Sequence, residues 1–247
     1  MNARPFPYRL AEITAPRLGL IALQSDETVE GDLRRLLPPD CELMVSRVPS
    51  AREVTSGSLA AMEDHLTASA KLFPAGLTFD VIGYGCTSAS AQIGPGAVAD
   101  KIRTGAPAHH ITEPLSSLIA ACRYLGLSRV ALLSPYIAQV SERLSIALAK
   151  ADISTPVFGS FNVAEEASVV RIEAASIMSA AKYLMADAEV DALFLSCTNL
   201  RTLESIAPLE ALLGKPVLAS NQVLAWHMMR LAGLAPPAAA PGQLFGR

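Results

Sequence analysis

Two segments with the same layout, one in each half of the chain, constrain the fold more than any other feature. Each is an apolar run that ends in a cysteine and a threonine: FDVIGYGCTSAS at residues 79–90 and VDALFLSCTNLRT at residues 190–202. Short continuous apolar runs are typical of parallel strands that are buried on both faces. The repeated segment therefore predicts an internal duplication, with a Cys-Thr step after the third strand of each half.

Apolar periodicity on either side of these segments supports the duplication. Strand-like runs alternate with helix-like stretches from residues 18–23 onward, and the series restarts at residues 129–133. Among the expected helices are single ones over residues 58–72 and 168–186. The pattern predicts an α/β fold of two pseudosymmetric, doubly wound lobes with parallel sheets and an active-site cleft between them.

The expected lobe boundaries follow from the same alternation. Residues 1–112 plus 223–247 are assigned to the first lobe and residues 113–222 to the second, because the last helix, over residues 222–234, is expected to cross back. This leaves residues 235–247 as a tail rich in proline and alanine.

Charge and hydropathy exclude several classes of protein. A net charge of −3, with scattered Lys and Arg, argues against a protein that binds the nucleic-acid backbone. No apolar run approaches the roughly 20 residues that span a bilayer, and the N-terminal residues lack a signal-peptide core. We therefore expect a cytoplasmic protein with neither a nucleic-acid nor a membrane partner.

Cys86 has the sequence context of a reactive thiol. It follows an apolar strand and precedes Thr87 and Ser88, which suit a tight strand-to-helix turn. The positive end of a helix favours the thiolate, and its free amides with the two hydroxyls suit a carboxylate or an enolate. Cys86 is thus predicted to combine substrate binding and catalysis in one loop.

Cys197 is expected to lie in the same context, since Thr198 and Asn199 follow it and a helix is expected over residues 203–213. The duplication then places two thiols across one cleft, which is the arrangement that two-base chemistry requires. The alternative is that both cysteines are small buried hydrophobic residues. That alternative applies more strongly to Cys41 and Cys122, which lack the Cys-Thr context.

At LGLIALQSDETVE, GYGCTSAS, LLSPY, FLSCTNLRT and GKPVLASNQ, the chain resembles the Asp/Glu racemase superfamily, specifically the maleate cis-trans isomerase family. The resemblance spans residues 17–233. Within the family, the chain is similar to proteins of the ectoine-utilisation branch in its two Cys-Thr segments and in the SNQ segment with Trp226. The resemblance implies a two-lobed α/β fold, no metal or organic cofactor, and paired cysteines that flank a small carboxylic acid.

The resemblance also assigns roles to particular residues. Cys86 would be the nucleophile or first base, Cys197 the opposite acid or base, and Tyr136 a hydrogen-bond donor to the substrate carboxylate. The pocket would further be lined by Thr87, Ser88, Thr198 and Asn199.

Two positions depart from the family pattern. Maleate isomerases usually have asparagines that bind substrate where this chain has Asp26 and, in an alignment by eye, Glu166. A carboxylate at either position repels a dianion such as maleate by roughly a few kcal/mol and suits an ammonium group. The alternatives are that Asp26 caps the helix that follows it and that Glu166 is solvated.

The sequence therefore favours a cofactor-independent isomerase that racemises or epimerises an amino-acid derivative. Maleate isomerisation by cysteine addition, bond rotation and elimination is the first alternative. A single-thiol decarboxylase fits less well, because that chemistry keeps only one of the two cysteines, and a non-catalytic two-lobed sensor is the alternative of another class. We expect a homodimer or homotetramer.

Two other motifs are interpreted as structural. His109 and His110 are adjacent on a predicted strand and so point to opposite faces, which does not suit a metal site. The Gly94–Gly96 segment lacks the residues of a phosphate-binding loop and is interpreted as the start of a helix.

Overall fold

The computed structural model describes residues 6–12 and 14–246 and places eight strands in two separate parallel sheets. The first sheet has the order β2-β1-β3-β4 and the second the order β6-β5-β7-β8. The strands are β1 (Arg17–Leu23), β2 (Glu42–Val48), β3 (Phe79–Gly85), β4 (Ala108–Thr112), β5 (Val130–Ser134), β6 (Phe158–Ser160), β7 (Ala192–Leu195) and β8 (Val217–Ala219).

Helices connect the strands and cover the sheets. They are α1 (Val29–Leu36), α2 (Ser56–Ala61), α3 (Glu63–Ala70), α4 (Thr87–Ile93), α5 (Pro95–Gly105), α6 (Pro114–Leu125), α7 (Ala138–Ala149), α8 (Glu166–Val169), α9 (Ala174–Met185), α10 (Ile206–Leu213) and α11 (Ser220–Ala232). A 3-10 turn at Leu203–Ser205 leads into α10. Gly94 has a φ of 97° and precedes α5, as the interpretation of that segment as a helix start requires.

The prediction of two parallel α/β sheets with equivalent strand orders is confirmed. In each sheet the first strand of the lobe pairs in parallel with the second and the third, so β1 lies between β2 and β3, and β5 between β6 and β7. Every residue of β5 and β7 is buried, as expected for aliphatic strands covered on both faces. Because all strands are parallel, the loops after β1, β3, β5 and β7 leave the carboxyl edges of the sheets.

The two long helices predicted over residues 58–72 and 168–186 are each divided. The first is interrupted at Met62, between α2 and α3. The second is interrupted between Val169 and Ala174, where Val169, Val170 and Ile172 form a cluster of β-branched residues. Such residues lose side-chain freedom in a helix, so the helix resumes only where the sequence becomes rich in alanine.

Helix α11 connects the two halves of the molecule. It follows β8 of the second sheet, and it packs against β3, β4 and α1 of the first half as well as against α6. The contact with β3 is close, because a Cβ atom added at Gly83 would lie 2.6 Å from Met228 Sδ. The lobe boundaries given above stay a prediction. Among the described residues, no helix combines the length and apolar character needed to cross a membrane.

Candidate active site

A small, nearly closed pocket lies where the carboxyl edges of the two sheets meet. It brings together seven of the nine residues proposed from the sequence, from both halves of the chain. Its lining residues are Leu23, Cys86, Thr87, Ser88, Tyr136, Glu166, Cys197 and Thr198. Asp26 and Asn199 are buried but do not line it.

Cys86 occupies the predicted strand-to-helix turn. It is the N-cap of α4, and its sulfur accepts a hydrogen bond from Ala89 N at 3.4 Å. Burial nevertheless raises the pKa of the Cys86 thiol to about 12, and the nearby carboxyls of Glu166 and Asp26 add to the rise. The amide hydrogen bonds at the helix N-terminus do favour the Cys86 thiolate, as expected, but desolvation in this closed pocket outweighs them.

Cys197 does not share the local structure of Cys86. Its φ is 130°, a value that L-residues rarely adopt, and the chain continues through an irregular turn until the 3-10 turn at Leu203–Ser205. Cys197 therefore does not directly precede a helix as Cys86 does, although a helix is present over residues 203–213, where the sequence predicts one. Its backbone N–H donates to Ser220 Oγ at 3.0 Å instead, and burial raises the pKa of its thiol well above the usual value.

Tyr136 joins Cys197 to Glu166. Its hydroxyl lies 3.1 Å from Cys197 Sγ and donates a short hydrogen bond to Glu166 Oε1. The other carboxyl oxygen, Glu166 Oε2, accepts from Asn199 Nδ2 at 2.6 Å. Glu166 is only 4% exposed, and this burial raises its pKa, so the interpretation of Glu166 as a solvated residue is wrong.

Asn199 and Asp26 lie behind the pocket wall. Asn199 Oδ1 accepts from Glu27 N at 2.9 Å, so Asn199 ties the loop after β1 to Glu166. Asp26 Oδ1 accepts from Thr28 N and Val29 N, each at 2.8 Å, and so caps the turn that begins α1. Asp26 Oδ2 has no hydrogen-bond partner among the described residues, and burial raises the pKa of this carboxyl. A contact of either residue with substrate stays a prediction.

Ser220 is a site residue that sequence reasoning missed. It is fully buried at the start of α11, and its hydroxyl lies 2.7 Å from Thr87 Oγ1 while accepting the Cys197 N–H. It thereby holds the two cysteine loops to each other. The available signal was its position directly after β8, since a residue after the fourth strand also reaches the carboxyl edge of the sheet.

Two loops from opposite halves close the pocket over Glu166. Glu166 N donates to Arg52 O at 3.1 Å, and Val54 N donates to Ala164 O at 2.9 Å. The loop between β2 and α2 is thus paired with the loop between β6 and α8, a contact that no local sequence pattern indicates.

The candidate metal ligands are not clustered. His109 and His110 are both exposed on β4. Within residues 6–12 and 14–246, no group of three or more His, Cys, Asp or Glu side chains is placed to hold a metal ion.

The fold and the site together define a class of protein: a two-lobed parallel α/β enzyme whose pocket is lined by a cysteine from each lobe. The family model described as arylmalonate decarboxylase matches residues 96–245. The chain belongs to this family, which comprises cysteine-based isomerases and decarboxylases with an Asp/Glu racemase-like fold.

Individual relatives include both kinds of enzyme. The chain is 30% identical to the maleate isomerase of Nocardia farcinica over 92% of this chain and 93% of that protein. It is 28% identical to the arylmalonate decarboxylase of Bordetella bronchiseptica over 91% and 93%, respectively. A solved structure of a cysteine-to-serine mutant of the Nocardia farcinica maleate cis-trans isomerase, with a covalently bound succinylcysteine intermediate, matches with a TM-score of 0.79 and 27% identity, over 94% of this chain and 98% of that one.

Proposed function

We propose that this enzyme is a cofactor-independent, two-cysteine racemase or epimerase of a small amino-acid derivative, of the kind used in ectoine-type catabolism. The observation that carries the proposal is that Cys86, Cys197 and Glu166 line one pocket. Two thiols supply the two proton-transfer groups of a racemase, and the carboxyl group suits a substrate that carries an ammonium group.

In this reaction one cysteine, as thiolate, removes the proton from the carbon next to the substrate carboxylate. The electron pair moves into the carboxylate to give an enolate, and the second cysteine, as thiol, returns a proton to the same carbon from its own side. Ser88 lines the pocket and its hydroxyl forms no hydrogen bond with a described residue, so it is available to donate to the carboxylate. Hydrogen bonds that strengthen as the enolate forms lower the barrier.

The charges around the pocket support an amino-acid derivative over a dicarboxylate. Glu166 and Asp26 are both buried, and each raises the pKa of both thiols. No Lys, Arg or His is among the residues that line the pocket. A second carboxylate on the substrate would therefore add repulsion, whereas an ammonium group would reduce it.

The proposal is tested with a panel of N-acetylated and free amino acids, including diamino acids, in deuterated water. We expect deuterium to enter at the α-carbon while optical activity is lost, as followed by proton NMR and chiral chromatography. Cys86→Ala and Cys197→Ala should each abolish exchange. Cys122→Ala is the matched control, because Cys122 is a buried cysteine of α6 and does not line the pocket. Full exchange in either active-site variant would exclude the two-thiol mechanism.

Maleate isomerisation is the second candidate, and the Nocardia farcinica relative favours it. A thiolate would add to one alkene carbon, the resulting single bond would rotate, and elimination of the thiolate would give fumarate. Efficient conversion of maleate without α-proton exchange on any amino-acid derivative would replace our first proposal by this one. An arylmalonate assayed in parallel tests decarboxylation, which the presence of both cysteines disfavours.

Two further expectations also stay proposals. Membership of an enzyme family argues against a non-catalytic sensor, and slow, unreactive thiols at neutral pH would be the sensor's signature. The expected homodimer or homotetramer is tested by light scattering on a sizing column, and the expected cytoplasmic location by cell fractionation.

A further inference from the structure

We propose that Glu166 accepts the proton of the Cys197 thiol through the Tyr136 hydroxyl, so that the three side chains form one proton relay. The inference rests on the proposed function, in which a cysteine must lose its proton before it can act as a base. It also specifies which of the two thiols is the base at rest.

The three groups form a continuous chain of hydrogen-bonding atoms. Tyr136 Oη lies 3.1 Å from Cys197 Sγ and is hydrogen-bonded to Glu166 Oε1. In the starting state the Cys197 S–H donates to Tyr136 Oη, while the Tyr136 O–H donates to the Glu166 carboxylate. Both protons then shift by one bond along the chain. Cys197 becomes a thiolate that accepts from the Tyr136 O–H, and Glu166 becomes a neutral acid that donates to Tyr136 Oη.

The relay avoids the main obstacle to thiolate formation in this pocket. A buried thiol that loses its proton to solvent creates a new charge, and burial raises the pKa of Cys197 well above its usual value for that reason. Transfer to Glu166 moves an existing negative charge from oxygen to sulfur and leaves the net charge of the pocket unchanged. Burial also raises the pKa of Glu166, which brings the carboxyl closer to the thiol in proton affinity.

The surroundings of Glu166 favour a proton acceptor. Asn199 Nδ2 holds its second oxygen at 2.6 Å, which fixes the carboxyl plane toward Tyr136. Tyr136 and the buried Asp26 also influence Glu166, and the charge of Asp26 disfavours a second carboxylate nearby. A proton that arrives on Glu166 therefore also relieves repulsion between the two acids.

Cys86 has no equivalent chain of hydrogen bonds to a carboxylate. Its sulfur accepts from the backbone of Ala89 and also interacts with the side chain of Tyr84, but the Tyr84 hydroxyl donates to Met62 Sδ at 3.7 Å and not to a carboxyl group. The two thiols therefore differ at rest, with Cys197 as the base and Cys86 as the protonated acid.

The pH dependence of thiol alkylation tests the relay without any substrate. Each cysteine of the full chain is alkylated with iodoacetamide over a range of pH, and the rates are resolved by peptide mass spectrometry. For each cysteine, the alkylation rate at neutral pH is divided by its rate at high pH. In the wild type we expect this ratio to be at least about tenfold larger for Cys197 than for Cys86. Equal profiles for the two thiols would overturn the relay, and this measurement carries no risk of misfolding.

Glu166→Gln makes the test sharper, because the relay and simple charge repulsion predict opposite signs. Glu166 raises the pKa of both thiols through its charge, so removal of that charge alone should speed alkylation of both at neutral pH. If Glu166 is the proton acceptor, alkylation of Cys197 should instead slow by about tenfold or more while that of Cys86 becomes faster. Faster or unchanged alkylation of Cys197 would overturn the proposal.

Tyr136→Phe is the background in which Glu166→Gln is tested again. Without the hydroxyl the relay is interrupted, so adding Glu166→Gln should now speed alkylation of Cys197 through the charge effect alone. If alkylation of Cys197 slows as much in the double variant as in Glu166→Gln, Tyr136 does not transfer the proton between Cys197 and Glu166. The alkylation readout needs no substrate, so the relay and the proposed function can fail separately. If the alkylation profiles are as expected but no racemase activity is found, the proposed function is contradicted and the relay is supported.

Discussion

Ser220→Ala tests how the two cysteine loops are held in register. The Ser220 hydroxyl accepts the Cys197 N–H at 3.0 Å and lies 2.7 Å from Thr87 Oγ1, and all three residues are buried. The alanine variant removes one oxygen and leaves two polar groups without their partner. The Cys197 N–H has no evident substitute acceptor, because it lies beyond the residues of β7 that pair with β5.

The expected loss of stability follows from these two contacts. A buried donor or acceptor that loses its partner costs about 1–3 kcal/mol, so two such groups give roughly 2–5 kcal/mol before the structure relaxes. The cavity left by one hydroxyl is small, and some relaxation of Thr87 toward other acceptors is expected. We therefore expect the free energy of unfolding to fall by about 2–4 kcal/mol.

The measurement is urea unfolding followed by circular dichroism at fixed pH. Ser205→Ala is the matched control, because Ser205 is equally buried but its hydroxyl has no partner among the described residues. Its removal should leave stability unchanged or slightly higher, since an unpaired buried hydroxyl is lost. If the two variants unfold within about 0.5 kcal/mol of each other, Ser220 does not connect the loops as described.

Three further outcomes are expected. Gly105→Ala should lower the free energy of unfolding by about 1–3 kcal/mol, because its Cβ would lie 2.5 Å from Thr67 O; Gly96→Ala in the same helix, where nothing lies within 4 Å, should not. Burial lowers the pKa of His227 from 6.5 to about 4, so its contribution to stability is present above pH 6.5 and is lost as the pH falls toward 4. Urea midpoints of the wild type and His227→Gln should therefore converge over that range, and parallel curves would contradict it. Ser88→Ala should raise KM for the carboxylate substrate about tenfold with little change in thiol alkylation, and an unchanged KM would remove Ser88 from substrate binding.

The sequence predicted what depends on local pattern. Aliphatic runs that end in Cys86 and Cys197 indicated buried parallel strands, and parallel strands deliver their following residues to one edge of a sheet. This rule was sufficient to place both thiols at one pocket. The rule does not depend on the local structure after each cysteine. Both thiols therefore lie at one pocket as predicted, although no helix directly follows Cys197.

What the sequence did not predict depends on contacts between distant segments. Glu166 is buried because the loop that carries it pairs with the loop at Arg52 and Val54, more than a hundred residues away. Ser220 reaches both cysteine loops because α11 starts at the same sheet edge. The contact of Glu166 has no periodic or compositional signal, and the one signal for Ser220 is its position directly after β8.

The relative size of two electrostatic effects decides how the thiols are activated. A helix N-terminus stabilises a nearby negative charge by about 0.3–1 kcal/mol, and by about 2 kcal/mol in favourable buried sites. The rise in the pKa of Cys86 from 9.0 to about 12 corresponds to roughly 4 kcal/mol in favour of the neutral thiol. Burial therefore prevails at Cys86, and α4 alone does not produce a thiolate there. A negative charge already present on Glu166 can instead be moved to Cys197, and an ammonium group on the substrate would then stabilise that thiolate directly. The same buried acids that disfavour a dicarboxylate thus allow this pocket to form a base next to a cationic substrate.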